Sequence, residues 1–323
     1  MSTLIDVAVS LQIIQTYLYK YVCPFTMILG TISCIMNLCV FTKKSLRKNP
    51  CSIYFIAYNV TNFIFIYTLY LSLSLELGYN IDLSSNNISI CRLRLYSTIL
   101  CNFLSPFYLI LASIDRILVT SSNVHTRQRS TIRSAYLIVL IGTLFWALCH
   151  THAIIFASLL QLAPNYFVCY FQLGRYLSFI GLYSLTKEIT SVALLIILGL
   201  WSIRNVRQIG RVRLPSHTQD NPLSTTGRHS HSNQSKDRQL MRMLLLDTTI
   251  YASFSCLYGL FLLYQQITMS NVKSTPQQYI ERNITNFCIY FIGIPYCTSF
   301  YCQLFISKTF RREVIKMLSG KIN

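Results

Sequence analysis

The hydrophobic pattern of this chain has one repeating form: an apolar run of 24–28 residues followed by a polar gap, seven times over. The runs fall at about Leu18–Phe41, Ile53–Leu77, Cys91–Leu118, Ala135–Leu160, Tyr176–Ile203, Leu240–Ile267 and Asn283–Ile306. About 20 helical residues cross a hydrocarbon layer, so each run predicts one membrane-spanning helix. The fold class expected is an all-α membrane protein, a seven-helix bundle over residues 18–306. Residues 1–17 are expected to form a short segment outside the membrane, and 204–238 the longest polar loop. No basic stretch opens the chain, so no cleavable signal peptide is expected. After the seventh run, K-T-F-R-R-E-V-I-K-M-L sets Phe310, Val314 and Met317 against Arg311, Arg312 and Lys316. That alternation predicts an amphipathic helix lying on membrane lipids within residues 307–323.

Composition agrees with the pattern. The chain is 53 % hydrophobic and 12 % charged with mean hydropathy +0.45, where a soluble domain carries about 25 % charged residues. It is also basic, with 28 Lys and Arg against 10 Asp and Glu. A nucleic-acid binder would spread its bases through soluble domains. Here 21 of the 28 fall in the first, third and fifth gaps and the C-terminal tail. The positive-inside rule then places the N-terminus outside and the C-terminus in the cytoplasm of a multi-pass plasma-membrane protein. Asn-x-Ser/Thr sequons at Asn87 and Asn283 lie on the predicted outer side and are glycosylation candidates.

Candidate chemistry is sparse. No Cys or His cluster has metal-ligand spacing, and His217, His229 and His231 sit in a Ser-rich loop, so neither metal nor cofactor is expected. The spans supply no converging acid, base or nucleophile, so no enzyme is expected. A transporter would show internal repeats or broken spans, and a channel a filter loop or charge rings. Asn37 and Asn62 are amides inside apolar runs and need interhelical partners, because lipid offers none. Lys187 and Glu188 lie in the outer half of the fifth run. Neighbouring side chains diverge by about 100° on a helix, so they need not pair with each other. Either one faces a ligand cavity or both reach the headgroups. The adjacent Asp115 and Arg116 close the third run and belong at an interface or in the bundle interior.

The third run itself, C-R-L-R-L-Y-S-T-I-L-C-N-F-L-S-P-F-Y-L-I-L-A-S-I-D-R, has a cysteine followed 24 residues later by Asp-Arg. It resembles the third transmembrane helix of rhodopsin-like (class A) G-protein-coupled receptors, with Ile117 in place of the family's tyrosine. Asn37 resembles the first-helix asparagine of that family. Asn62 stands where the second helix usually carries the aspartate of a sodium site, so the resemblance implies no sodium regulation. Ser255 and Leu257 replace the sixth-helix Trp and Pro, and Ser299–Gln303 replaces Asn-Pro-x-x-Tyr. The resemblance implies a disulfide between Cys91 and Cys169. It implies a G-protein switch at Asp115 and Arg116, with Asp237 as the acid at the base of the sixth helix. It also implies a ligand cavity near Arg94, Thr98, Asn102, Lys187 and Glu188. Thr98 stands where amine receptors carry aspartate, and the seventh run has no lysine for a retinal Schiff base. N-P-C-S-I-Y-F and S-I-D-R-I-L resemble invertebrate orphan, FMRFamide-receptor-like sequences. The expected function is a receptor for an extracellular ligand, a small peptide before a small molecule, that activates a heterotrimeric G protein. The alternatives are a chemosensory receptor of the same fold and, from another class, a polytopic transporter.

Overall fold

In a computed structural model of the protein, seven helices are long and apolar enough to cross a membrane. They are α1 (Leu4–Phe41), α2 (Pro50–Gly78), α3 (Ile88–Val119), α4 (Ile132–Ile155), α5 (Arg175–Asn205), α6 (Gln239–Ile267) and α7 (Thr275–Ile306). An eighth helix, α8 (Lys308–Leu318), follows a one-residue break at Ser307, whose hydroxyl oxygen accepts the Phe310 N–H as an N-cap. Phe310 and Val314 of α8 are buried against the bundle while Arg311 and Arg312 are exposed. The structure describes residues 2–47, 49–121, 123–163, 166–212, 226–269 and 271–319, and for 206–212 and 226–238 the backbone alone.

Two features go beyond the expected spans. The first is the helical conformation of residues 2–17. Helix begins at Ser2 and runs without a break into α1. The stretch S-T-L-I-D-V-A-V-S-L-Q-I-I-Q-T-Y holds neither glycine nor proline, so nothing stops the helix. Its flank is held by the extended start of α7, where Asn286 donates to Gln15 and Asn283 to the Ala8 carbonyl. The first breaker is Pro24, which lacks the N–H that would bond the Lys20 carbonyl. The chain takes a π-helical turn over Leu18–Val22 just before it, and Tyr79 of the α2 end donates its hydroxyl to the freed Lys20 carbonyl. Gly78 makes this approach possible, since a Cβ there would lie 2.8 Å from the Lys20 nitrogen.

The second is a strand pair beside the all-α bundle. Between α4 and α5 the chain forms an antiparallel hairpin, β1 (Ala157–Ala163) with β2 (Tyr166–Phe171), in which Leu159 faces Cys169. The fourth apolar run was read as helix to Leu160, but α4 ends at Ile155. Y-F-V-C-Y-F is rich in residues that favour strands, and A-S-L-L-Q-L-A supplies the edge it pairs with.

The core follows the centre of the bundle. Tyr58, Tyr70, Tyr251, Tyr296, Phe41, Phe55 and Phe65 are among its largest fully buried side chains. Tyr70 and Tyr290 stack at 5.5 Å between ring centres, and Gly293 leaves room for the Tyr70 hydroxyl and ring, with which a Cβ there would collide. α4 stands at the rim with 11 % of its apolar stretch buried, against 50 % for α7.

Candidate functional site

Polar side chains gather at four levels along the bundle, and the level decides what each group can do. At one end Cys91, in the first turn of α3, is bonded to Cys169 of β2, with 5.5 Å between their Cα atoms. This fixes the hairpin to the head of α3. Asn87 is the N-cap of that helix, accepting from the Ser89 N–H, and is exposed. Asn283 instead lies inside α7, turned in against the N-terminal helix and 7 % exposed, a position with no room for a glycan. Arg94, expected near a ligand cavity, is engaged in an ion-pair network. Its guanidinium bonds Glu76 at 2.8 Å and the Ser84 hydroxyl at 2.6 Å, with Asp82 at 3.8 Å, so it staples α3 to the loop after α2. Its reach from a helix end to these acids was not legible in spacing alone.

One level deeper, Lys187 and Glu188 pair with each other after all. The Lys187 ammonium donates to Glu188 Oε1 at 2.6 Å and to Asn102 Oδ1 of α3 at 3.1 Å. The two side chains start about 100° apart, but the four-carbon lysine stem closes that angle. Both residues are buried in the bundle, so of the two alternatives neither side chain reaches the headgroups. Asn102 Oδ1 also accepts from the Tyr296 hydroxyl of α7 at 3.2 Å. Tyr251 of α6 completes the group, donating to Glu188 Oε2 at 3.4 Å. One ion pair thus joins α3, α5, α6 and α7. Thr98 lies four residues before Asn102 on α3, on the same face and half-buried.

At the third level lies a group that the sequence reading passed over. Asp247 of α6 is 3 % exposed, and its carboxylate accepts from Gln303 Nε2 at 2.7 Å and the Ser299 hydroxyl at 3.2 Å. Among the described residues no Lys, Arg or His pairs with it. Asn37 joins the same network, donating to Asn59 Oδ1 at 2.9 Å and to the Ser299 hydroxyl at 3.4 Å. The partner of Asn37 on α2 is therefore Asn59. Asn62 faces α3 instead, accepting from Ser105 at 2.5 Å. The signal for Asp247 was present, since a carboxylate inside an apolar run is a functional candidate by default.

At the far end Arg116, 1 % exposed, donates from one nitrogen to Asp115 Oδ2 at 2.8 Å and to Asn49 Oδ1 at 2.6 Å. Asp115 in turn accepts from Ser130 in the loop before α4, at 2.5 Å. The Asp115–Arg116 pair lies in the bundle interior, one of the two places open to it. The side chain of Asp237 lies outside the described residues.

The bundle and these groups agree with the comparisons to known proteins. A family model described as 7 transmembrane receptor (rhodopsin family) matches residues 34–301, from the last two turns of α1 to the last turns of α7. No curated protein matches the chain at a significant level. The matched residues cover more than four-fifths of the chain and all the groups described here except Gln303. The chain belongs to the rhodopsin family of seven-transmembrane receptors.

Proposed function

We propose that this receptor answers a small extracellular peptide and passes the signal to a heterotrimeric G protein from the end that carries Asp115 and Arg116. Membership of the family makes it a receptor that signals through G proteins, and not an enzyme. The observation that carries the coupling role is the buried Asp115–Arg116 pair at the end of α3, a charged switch held in a closed arrangement. Agonist binding favours a second arrangement in which the inner end of α6 moves out and Arg116 is released. Orientation follows the charge bias, with the N-terminus and the hairpin outside and the basic loops in the cytoplasm.

Three features support a peptide. The disulfide-tethered hairpin offers strand edges that an extended peptide can extend. Thr98 supplies no counter-charge for an amine, and Lys187 at mid-depth is paired with Glu188. The second-helix and third-helix sequences resemble FMRFamide-receptor-like chains. The deciding experiment screens peptides, free and amidated, beside small molecules against surface-expressed receptor with a promiscuous G protein. Responses confined to small molecules would overturn the peptide assignment, and substrate uptake without nucleotide exchange would point to a transporter. Arg116→Ala should abolish agonist-driven exchange at near-normal surface expression, and unchanged coupling would remove Arg116 from the mechanism.

A further inference from the structure

Asn49 does two jobs with one oxygen. It is the N-cap of α2, where Oδ1 accepts the Cys51 N–H at 3.1 Å. The same Oδ1 takes the Arg116 guanidinium at 2.6 Å. An asparagine cap alone is ordinary, because Ser, Thr, Asp and Asn all satisfy a helix start about equally. What distinguishes the carboxamide is reach and charge. Its oxygen stands one bond further from the backbone than a serine hydroxyl, far enough to meet Arg116. It is also neutral, so it holds the guanidinium less tightly than a carboxylate would.

The surrounding contacts give the bond a direction. Arg116 Nη2 is shared between Asp115 on its own helix and Asn49 at the start of α2. Asp115 is held from the other side by Ser130, which precedes α4. The side chain that must swing away on activation is thus tied to the first cytoplasmic loop. A backbone-capped helix end is a firm anchor, because moving Asn49 would also uncap α2.

We infer that Asn49 is a positioning residue that holds Arg116 in the resting arrangement, through the same carboxamide oxygen that caps α2. The inference rests on the receptor function proposed above. Breaking the tie should raise signalling without ligand, and strengthening it with a carboxylate should lower it.

Three variants separate the two jobs. Asn49→Ser keeps the cap and loses the reach to Arg116. Asn49→Asp keeps the cap and adds a charge-assisted bond to Arg116. Asn49→Ala loses both. Purified receptor in nanodiscs, with a promiscuous heterotrimeric G protein and no agonist, is assayed for nucleotide exchange and for melting temperature. Asn49→Ser should raise basal exchange about tenfold, the factor carried by a hydrogen bond to a charged group, with a smaller loss of melting temperature than Asn49→Ala because the cap is kept. Asn49→Asp should fall below wild type. Asn49→Ala should rise like the serine variant and melt earlier, and if it fails to fold the serine and aspartate variants still decide. A second readout needs no G protein: the distance distribution between nitroxide-bearing unnatural residues at Thr42 and Arg242. Asn49→Ser should enlarge the long-distance population and Asn49→Asp shrink it. Wild-type values for Asn49→Ser in both assays overturn the role of Asn49. Silence of every protein in the exchange assay, with the distances shifting as described, overturns the coupling function and leaves Asn49's role standing.

Discussion

The two polar levels inside the bundle solve the same electrostatic problem in opposite ways. At the outer level the Glu188 charge meets a cation at 2.6 Å, and Asn102, Tyr251 and Tyr296 take up the remaining polar capacity. At the inner level Asp247 meets only a serine hydroxyl and a glutamine amide. The Asn37 Oδ1 and Gln303 Oε1 atoms beside it are buried with no donor among the described residues. The outer level is a compensated charge and the inner one an acceptor-rich cluster around an uncompensated carboxylate. Removing a charge should therefore have opposite signs in the two places. A buried pair is costly to split, because the remaining charge stays desolvated. A lone buried carboxylate has no partner to leave behind.

The largest effect is expected at the outer level. Lys187→Met strands Glu188 in the low-dielectric interior and should cost about 3–5 kcal/mol. The drop in melting temperature of the solubilised receptor measures it. Lys187→Met with Glu188→Leu should recover most of that loss, since an apolar pair of similar volume replaces the ion pair. A double variant as unstable as the single one would mean that the cluster acts through packing and not charge.

At the inner level Asp247→Asn should stabilise. The amide keeps an oxygen for Ser299 and Gln303 and brings a donor within the reach of the acceptors that lack one. Relieving a buried unsatisfied acceptor is worth about 1–3 kcal/mol, read as a rise in melting temperature. A fall of similar size would show that the carboxylate charge is itself compensated, and the contrast between the levels would fail.

The contrast also marks the boundary of what the residue pattern could tell. The spans were legible because burying a backbone in lipid demands one long apolar helix per crossing, and that demand is written in run length. The amphipathic α8 followed from the same physics, which narrowed the Asp115–Arg116 pair to an interface or the bundle interior without choosing between them. Side-chain partners did not follow, because they depend on how helices rotate against one another. Asn37 and Asn62 both needed partners, and only the packing of α1, α2, α3 and α7 sends the first to Asn59 and the second to Ser105. The angle between neighbours on a helix argued against pairing Lys187 with Glu188, yet a flexible stem overrode it. The first run was begun at Leu18, although the residues before it are also apolar and hold no glycine or proline, and Gln15 and Ala8 there contact α7. Asp247 was legible in principle and overlooked beside the more conspicuous Lys187-Glu188.

The smallest expected effect is the sharpest test, because it asks whether Asp247 carries its charge in the folded receptor. Ser299 donates to Asp247, and its oxygen also accepts from Gln303 at 2.8 Å and from Asn37. A hydrogen bond to an ionised group is worth about 1.5–3 kcal/mol and one between neutral groups about 0.5–1.5 kcal/mol. Ser299→Ala in the wild-type background should therefore lie in the upper range, and in the Asp247→Asn background in the lower. The difference between the two is the part of the Ser299–Asp247 contact that depends on the carboxylate charge, since the amide in Asp247→Asn keeps an oxygen for Ser299. Equal losses would mean that Asp247 is held neutral by a proton. The two levels would then differ in the identity of the counter-cation, lysine at one and a proton at the other, and no longer in whether the charge is compensated.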